Sequence, residues 1–162
     1  MKTALIATAL LAAFVAAARA DDRADIQKLE DRVLAAFRAK DLDGMMAGYA
    51  PDEKLVIFDA IPPRQYVGAK AWRADNAGFL ERYPGPITVD ASDMAITTDG
   101  KLGFAHYIFH FTGTSKDGSH DELNFRMTDC LEKRKGRWVI VHEHLSWPVD
   151  LATGKADVLS KP

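Results

Sequence analysis

Two alternating runs that meet at one tight turn constrain this chain more than anything else in it. Arg126 to Asp150 reads RMTDCLEKRKGRWVIVHEHLSWPVD. It predicts two long strands joined at Lys135-Gly136, where Gly136 supplies the positive φ that a short hairpin turn requires. Side chains alternate along a strand, so Phe125, Met127, Asp129 and Leu131 share one face before the turn, and Arg126, Thr128, Cys130 and Glu132 the other. After it, Val139, Val141, Glu143, Leu145 and Trp147 are expected on one face. Trp138, Ile140, His142, His144 and Ser146 are expected on the opposite one. Each strand then has an apolar face interrupted by one carboxylate, Asp129 or Glu143. Two readings of these acids stand. Either they are structural, reaching water near strand ends or forming ion pairs with Arg126 or Arg64, or they face the core unpaired, where burial raises a carboxylate pKa.

Length and charge narrow the class. The 162 residues predict one domain. Residues 1–20 read as a bacterial-type secretory signal peptide. Lys2 is a short positive region, Ala4 to Ala18 is an apolar run, and Ala18-Arg19-Ala20 is a small-x-small cleavage site. The run falls short of the roughly 20 apolar residues that a membrane span needs. Cleavage implies a periplasmic or secreted protein with no membrane association afterwards. It leaves 142 residues, and loss of Lys2 and Arg19 leaves 19 basic against 23 acidic residues, a formal charge of −4. No basic stripe points to nucleic acid. Cys130 is the only cysteine, which excludes an internal disulfide, and it reads as a packed thiol.

In chain order, Asp22 to Lys40 carries a helical stripe of Ile26, Leu29, Val33, Ala36 and Phe37. Asp41 reads as the N-cap of a short second helix with Leu42, Met45, Met46 and Tyr49 inward. Glu53 to Asp59 reads as a strand, Ala60 to Val67 as a loop stiffened by Pro62-Pro63, and Gly68 to Tyr83 as a third helix ended by Pro84-Gly85-Pro86. From Ile87 onward the pattern is strand. A change of phase between Ile87-Val89-Ala91 and Met94-Ile96 predicts a β-bulge near Ser92-Asp93. Leu102 to Thr114 puts Ala105, Tyr107, Phe109 and Phe111 on one face. Residues 151–162 read as a C-terminal surface tail after a domain spanning 21–150. Helix, short helix, strand, helix and then four antiparallel strands make an α+β order, with three N-terminal helices packed on a strongly bent, mostly antiparallel sheet. Long bulged strands bend into a cone with a ligand pocket at the wide end.

This order, together with Gly136-x-Trp138-x-Ile140-Val141-His142-x-His144-x-Ser146 and the Pro148 behind it, resembles the nuclear transport factor 2-like superfamily of the cystatin-like cone. That superfamily includes SnoaL-like cyclases and ketosteroid isomerase. The local match resembles the association domain of calcium/calmodulin-dependent kinase II and its bacterial homologues. Phe58-Asp59 leading to the third helix is a second shared feature, and the resemblance covers about residues 22–150. In the association domain, arginines enter the pocket from the last two strands. The matching positions here are Asp129 and Leu145, so an anionic-ligand pocket is not implied, but their inward direction is.

On this basis Asp129, Glu143, Asp59 and Tyr107 are the candidate catalytic residues. A carboxylate can remove a proton beside a carbonyl, and a tyrosine can steady the resulting oxyanion. Trp72, Phe109, Leu145 and Trp147 form the expected apolar wall for a small apolar or amphipathic molecule, with Arg64 and Tyr66 at the mouth. The chemistry would be that of an isomerase, lyase or hydratase, and no cofactor is implied. The alternative is a non-catalytic binding or oligomerisation module on the same fold. Arg126, His142 and His144 lie on the opposite face, for which the resemblance implies a homodimer interface. Metal binding by His106, His110, His142 and His144 is the other reading of that face, and no metal residue is assigned.

Overall fold

The computed structural model describes residues 21–160. The expected signal peptide, residues 1–20, lies outside them. Helix α1 covers residues 21–38 and buries Ile26, Leu29, Val33 and Leu34. Helix α2, Leu42–Met46, starts at Asp41, whose side chain accepts from the Gly44 N–H at 2.9 Å. That removes one of the unpaired donors every helix start carries. Strand β1 is only Val56–Phe58. The charged residues expected to begin it form a turn instead, where the Lys54 N–H donates to Asp52. Tyr66–Val67, expected in a loop, is strand β2, and α3 follows as Ala69–Arg82.

The remaining chain makes strands β3 (Ile87–Thr98), β4 (Leu102–Thr114), β5 (His120–Arg134) and β6 (Arg137–Ser146). They join β1 and β2 in one mixed six-stranded sheet of order β2-β1-β6-β5-β4-β3. All pairs are antiparallel except β1 with β6. Lys135 and Gly136 both have positive φ, 50° and 80°, which is the twist a two-residue hairpin turn needs. The β3 bulge falls between Ser92 and Ala95, where the change of phase placed it. Two small strands, β7 (Val149–Asp150) and β8 (Lys155–Ala156), pair beyond the sheet. The chain after them is tied back where the Asn124 N–H donates to the Val158 carbonyl at 2.8 Å.

One face assignment is corrected. A second bulge shifts the β5–β6 register, so that Cys130 faces His142 but Leu131 faces Ile140. The extra residue, Val141, reverses the alternation of β6 on its turn side. Trp138 and Ile140 are therefore buried, while Val139 and Val141, expected inward, are only half-buried. Beyond the bulge, Glu143 and Leu145 point inward as expected.

The interior forms two apolar clusters. One gathers Ile26, Leu29, Leu55, Ile57, Leu131, Trp138 and Ile140, with Met45, Tyr49 and Trp72. The other gathers Leu34, Tyr83, Val89, Phe109, Phe111, Phe125 and Met127. On β5, Asp129 lies between Met127 of one cluster and Leu131 of the other. On α1, Glu30 lies between Leu29 and Leu34 in the same way. A polar layer thus lies between the two clusters, which meet around it at Phe37, Met94 and Leu145.

Candidate functional site

Three fully buried carboxyls make that layer. Glu30 is 0 %, Asp129 0 % and Glu143 2 % exposed. Asp129 and Glu143 stand directly opposite each other on β5 and β6, and α1 lays Glu30 over them. Two tyrosines serve the group. The Tyr49 hydroxyl donates to Glu143 Oε2 at 2.6 Å, and the Tyr107 hydroxyl donates to Asp129 Oδ2 at 3.0 Å. Glu30 lies close to Asp129, yet neither of its oxygens makes a well-formed hydrogen bond, nor does Asp129 Oδ1.

The electrostatics follow from this geometry. Among the described residues, no lysine, arginine or histidine forms an ion pair with any of the three acids. The ion-pair reading with Arg126 or Arg64 is thereby corrected: both arginines are exposed. Burial pushes the Glu30 carboxyl up to about 8, with the charge of Glu143 adding to it. Burial, and then the neighbouring Glu30 charge, holds Asp129 well above the carboxylate range. Burial and the Asp129 charge do the same for Glu143. Tyr49 and Tyr107 are raised too, chiefly by burial, and stay protonated donors. Like charges this close cannot all ionise, so the cluster keeps protons at neutral pH and titrates as a unit.

A cavity of about 280 Å³ opens onto this layer. Of the three acids only Glu143 lines it, with Tyr49 and Tyr107 beside it, while Asp129 and Glu30 sit behind. The predicted wall residues Trp72, Phe109, Leu145 and Trp147 all line it, as does Asp59. Ile57 of β1 pairs with Glu143, so Asp59, two residues on, lies about 7 Å further along the same wall. Burial, with Asp75 adding, holds the Asp59 carboxyl up at about 6.

Two expected ligand contacts are corrected. Arg64 is exposed and does not line the cavity. Tyr66 also lies behind the wall: its hydroxyl is used by Asp75, and its ring packs on Trp72 with centroids 5.6 Å apart. At the mouth, Arg82 Nη2 lies 3.4 Å from Asp121, which also accepts from the Tyr83 hydroxyl at 2.7 Å. Sequence reasoning missed Glu30 and the functional side of Tyr49. Arg126, His142 and His144 lie on the outer face of the sheet, where His142 Nδ1–H donates to the Val56 carbonyl at 2.7 Å. Among the described residues, no group of three or more His, Cys, Asp or Glu side chains is arranged to hold a metal ion.

A bent mixed sheet, N-terminal helices and an apolar cavity ending on buried acids define the class of cystatin-like, nuclear transport factor 2-like proteins. Within that class, the chain belongs to the SnoaL-like domain family, whose profile matches residues 26–150. No curated protein sequence matches it. Among solved structures it is similar to a nuclear transport factor 2-like protein of unknown function from Pseudomonas putida KT2440. The two are 28% identical over 88% of this chain and 98% of that one, with a TM-score of 0.79. It is also similar to a ketosteroid isomerase-like protein from Erwinia carotovora atroseptica, at 19% identity over 77% and 95% of the chains and a TM-score of 0.66. A protein from Xanthomonas campestris, assigned to the calcium/calmodulin-dependent kinase II association domains, is 22% identical. It covers 75% of this chain and 84% of its own, with a TM-score of 0.64.

Proposed function

We propose that the protein binds a small apolar or amphipathic molecule in the cavity and moves a proton on it without a cofactor, as an isomerase, lyase or hydratase does. The observation that carries this reading is the position of Glu143. It is the one member of the buried acid cluster that reaches the cavity, and it takes a 2.6 Å hydrogen bond from Tyr49. A general base near neutral pH needs a raised carboxyl pKa and a route to return the proton. Burial supplies the first. Asp129, paired with Glu143 across β5 and β6, supports the second by sharing a proton with it, so that one carboxyl holds the proton while the other is ionised. The ketosteroid isomerase-like likeness at the level of fold agrees with such chemistry.

The test needs no known substrate. In ¹³C carboxyl NMR, Asp129 and Glu143 should titrate as a coupled pair with at least one apparent pKa well above the ordinary value of about 4. If both titrate at or below that value, the acid–base function fails and a non-catalytic binding module is left. Once a substrate is found, Glu143→Gln should abolish turnover while binding persists.

Two further expectations belong to this reading. The protein is exported, with Ala18-Arg19-Ala20 as the cleavage site. It also forms a homodimer through the outer sheet face. There Phe58, 39 % exposed, stands edge-on to His142 and His144, and Phe104 is 42 % exposed.

A further inference from the structure

The charged groups around the cavity are unbalanced. Glu143, Asp59, Asp75 and Asp121 line it, and among the described residues Arg82 is the one basic side chain that does. Arg82 is already engaged with Asp121 at the mouth. Asp59 accepts from the Ala60 N–H at 2.6 Å, and Asp75 accepts from the Tyr66 hydroxyl. Among the described residues neither meets a lysine, arginine or histidine. They are near enough that the charge of Asp75 raises the Asp59 carboxyl. Two neighbouring acids in an apolar wall repel one another, and that cost is relieved only by a cation or a proton.

A second observation points independently to a ligand. Trp72 is 4 % exposed and lines the same cavity, and its Nε1 donor, beside the Tyr49 hydroxyl, makes no well-formed hydrogen bond in the protein. A buried N–H left unmet costs about 1–3 kcal/mol, so an oxygen acceptor on the occupant is favoured there.

We propose that the ligand is an amino alcohol or amino ketone on an apolar skeleton. Its ammonium sits at Asp59 and Asp75, and its oxygen meets Trp72 Nε1. This deepens the acid–base reading and rests on the same cavity. An ammonium about 7 Å from Glu143 along the sheet would also supply the positive charge that the acid cluster lacks, favouring the ionised Glu143 that acts as a base. An anionic ligand is disfavoured, because a carboxylate in this cavity would face Asp59 and Asp75 while Arg82 is already engaged by Asp121.

Three probes with one skeleton separate the head groups: 3-amino-1-phenylpropan-1-ol, 1-phenylpropane-1,3-diol and 3-hydroxy-3-phenylpropanoate. Binding is read by calorimetry and by Trp fluorescence. The ammonium probe should bind about tenfold more tightly than the diol, the equivalent of one favourable charged contact of about 1.4 kcal/mol. The carboxylate should bind more weakly than the diol. Asp75→Asn and Asp59→Asn should each shrink the ammonium-to-diol ratio several-fold and leave the diol unchanged. Trp72→Phe should weaken ammonium and diol alike. Equal or tighter binding of the carboxylate, no binding of any probe at millimolar concentration, or an unchanged ratio in both aspartate variants would overturn the proposal. Glu143→Gln distinguishes the two readings. The head-group order should survive in it even if Glu143 proves to have no role in proton transfer. Loss of the order would place the cation at Glu143 and remove the Asp59–Asp75 assignment.

Discussion

Glu30 is the residue whose behaviour tests the buried cluster most directly. Its folded carboxyl is raised to about 8 by burial, whereas an unfolded glutamic acid titrates near 4.3. The native state therefore binds more protons than the unfolded one between those values. Stability from this group is complete below the unfolded pKa and is lost as pH rises towards 8. For each proton so retained the loss is about 1.4 kcal/mol per pH unit. Asp129 and Glu143 act in the same direction. Denaturant unfolding from pH 5 to pH 8.5 should thus show falling stability, and Glu30→Gln should flatten the slope by about one proton. An unchanged slope in the variant would mean that Glu30 ionises freely. Asp129 and Glu143 were legible in the sequence because each interrupts an apolar alternation. Glu30 was readable in principle, four residues after Ile26 and four before Leu34. It was passed over because the helical stripe through Leu29, Val33 and Phe37 was complete without it. Tyr49 hid the same way, as one more inward ring.

At the scale of elements, the β6 bulge decides which side chains carry the strand. Ile140 is 0 % exposed while its neighbour Val141 is half-buried. Ile140→Ala should cost about 2–5 kcal/mol, the range for a buried Ile or Leu truncation. Val141→Ala should cost less than half of that in the same unfolding experiment. Equal costs would place the bulge elsewhere. The sequence could not reveal this bulge, because Trp138-Val139-Ile140-Val141 is apolar throughout and a run without alternation carries no phase. The β3 bulge was legible for the opposite reason: its apolar residues visibly change parity across Ser92-Asp93. The strand at β1 was legible, but its parallel pairing to β6 was not, because that partner lies far from it in sequence. The strand's role at the cavity wall depends wholly on that partner.

For the whole molecule, the outer sheet face and the N-terminus each give an expected outcome. A homodimer through the outer face predicts twice the chain mass by light scattering at micromolar concentration. Phe58→Glu or Phe104→Glu should yield monomers that keep their far-UV circular dichroism, since both side chains are already exposed. A wild-type monomer rules the interface out. Export predicts an N-terminal sequence beginning at Asp21, and a cytoplasmic protein still starting at Met1 removes that assignment.

The two apolar clusters lie on either side of Glu30, Asp129 and Glu143, and this division has a consequence for how such a chain can vary. Leu131, Ile140 and Ile57 lock the sheet to the helices on one side and take no part in the cavity wall. Phe109, Phe125 and Trp147 face the cavity on the other, and their volumes set its shape. Substitutions more than about 7–10 Å apart with no shared partner act nearly additively. A lineage can therefore exchange the furnishings of the open side for a new guest and inherit the foundation unchanged, with the acids between them as the common floor.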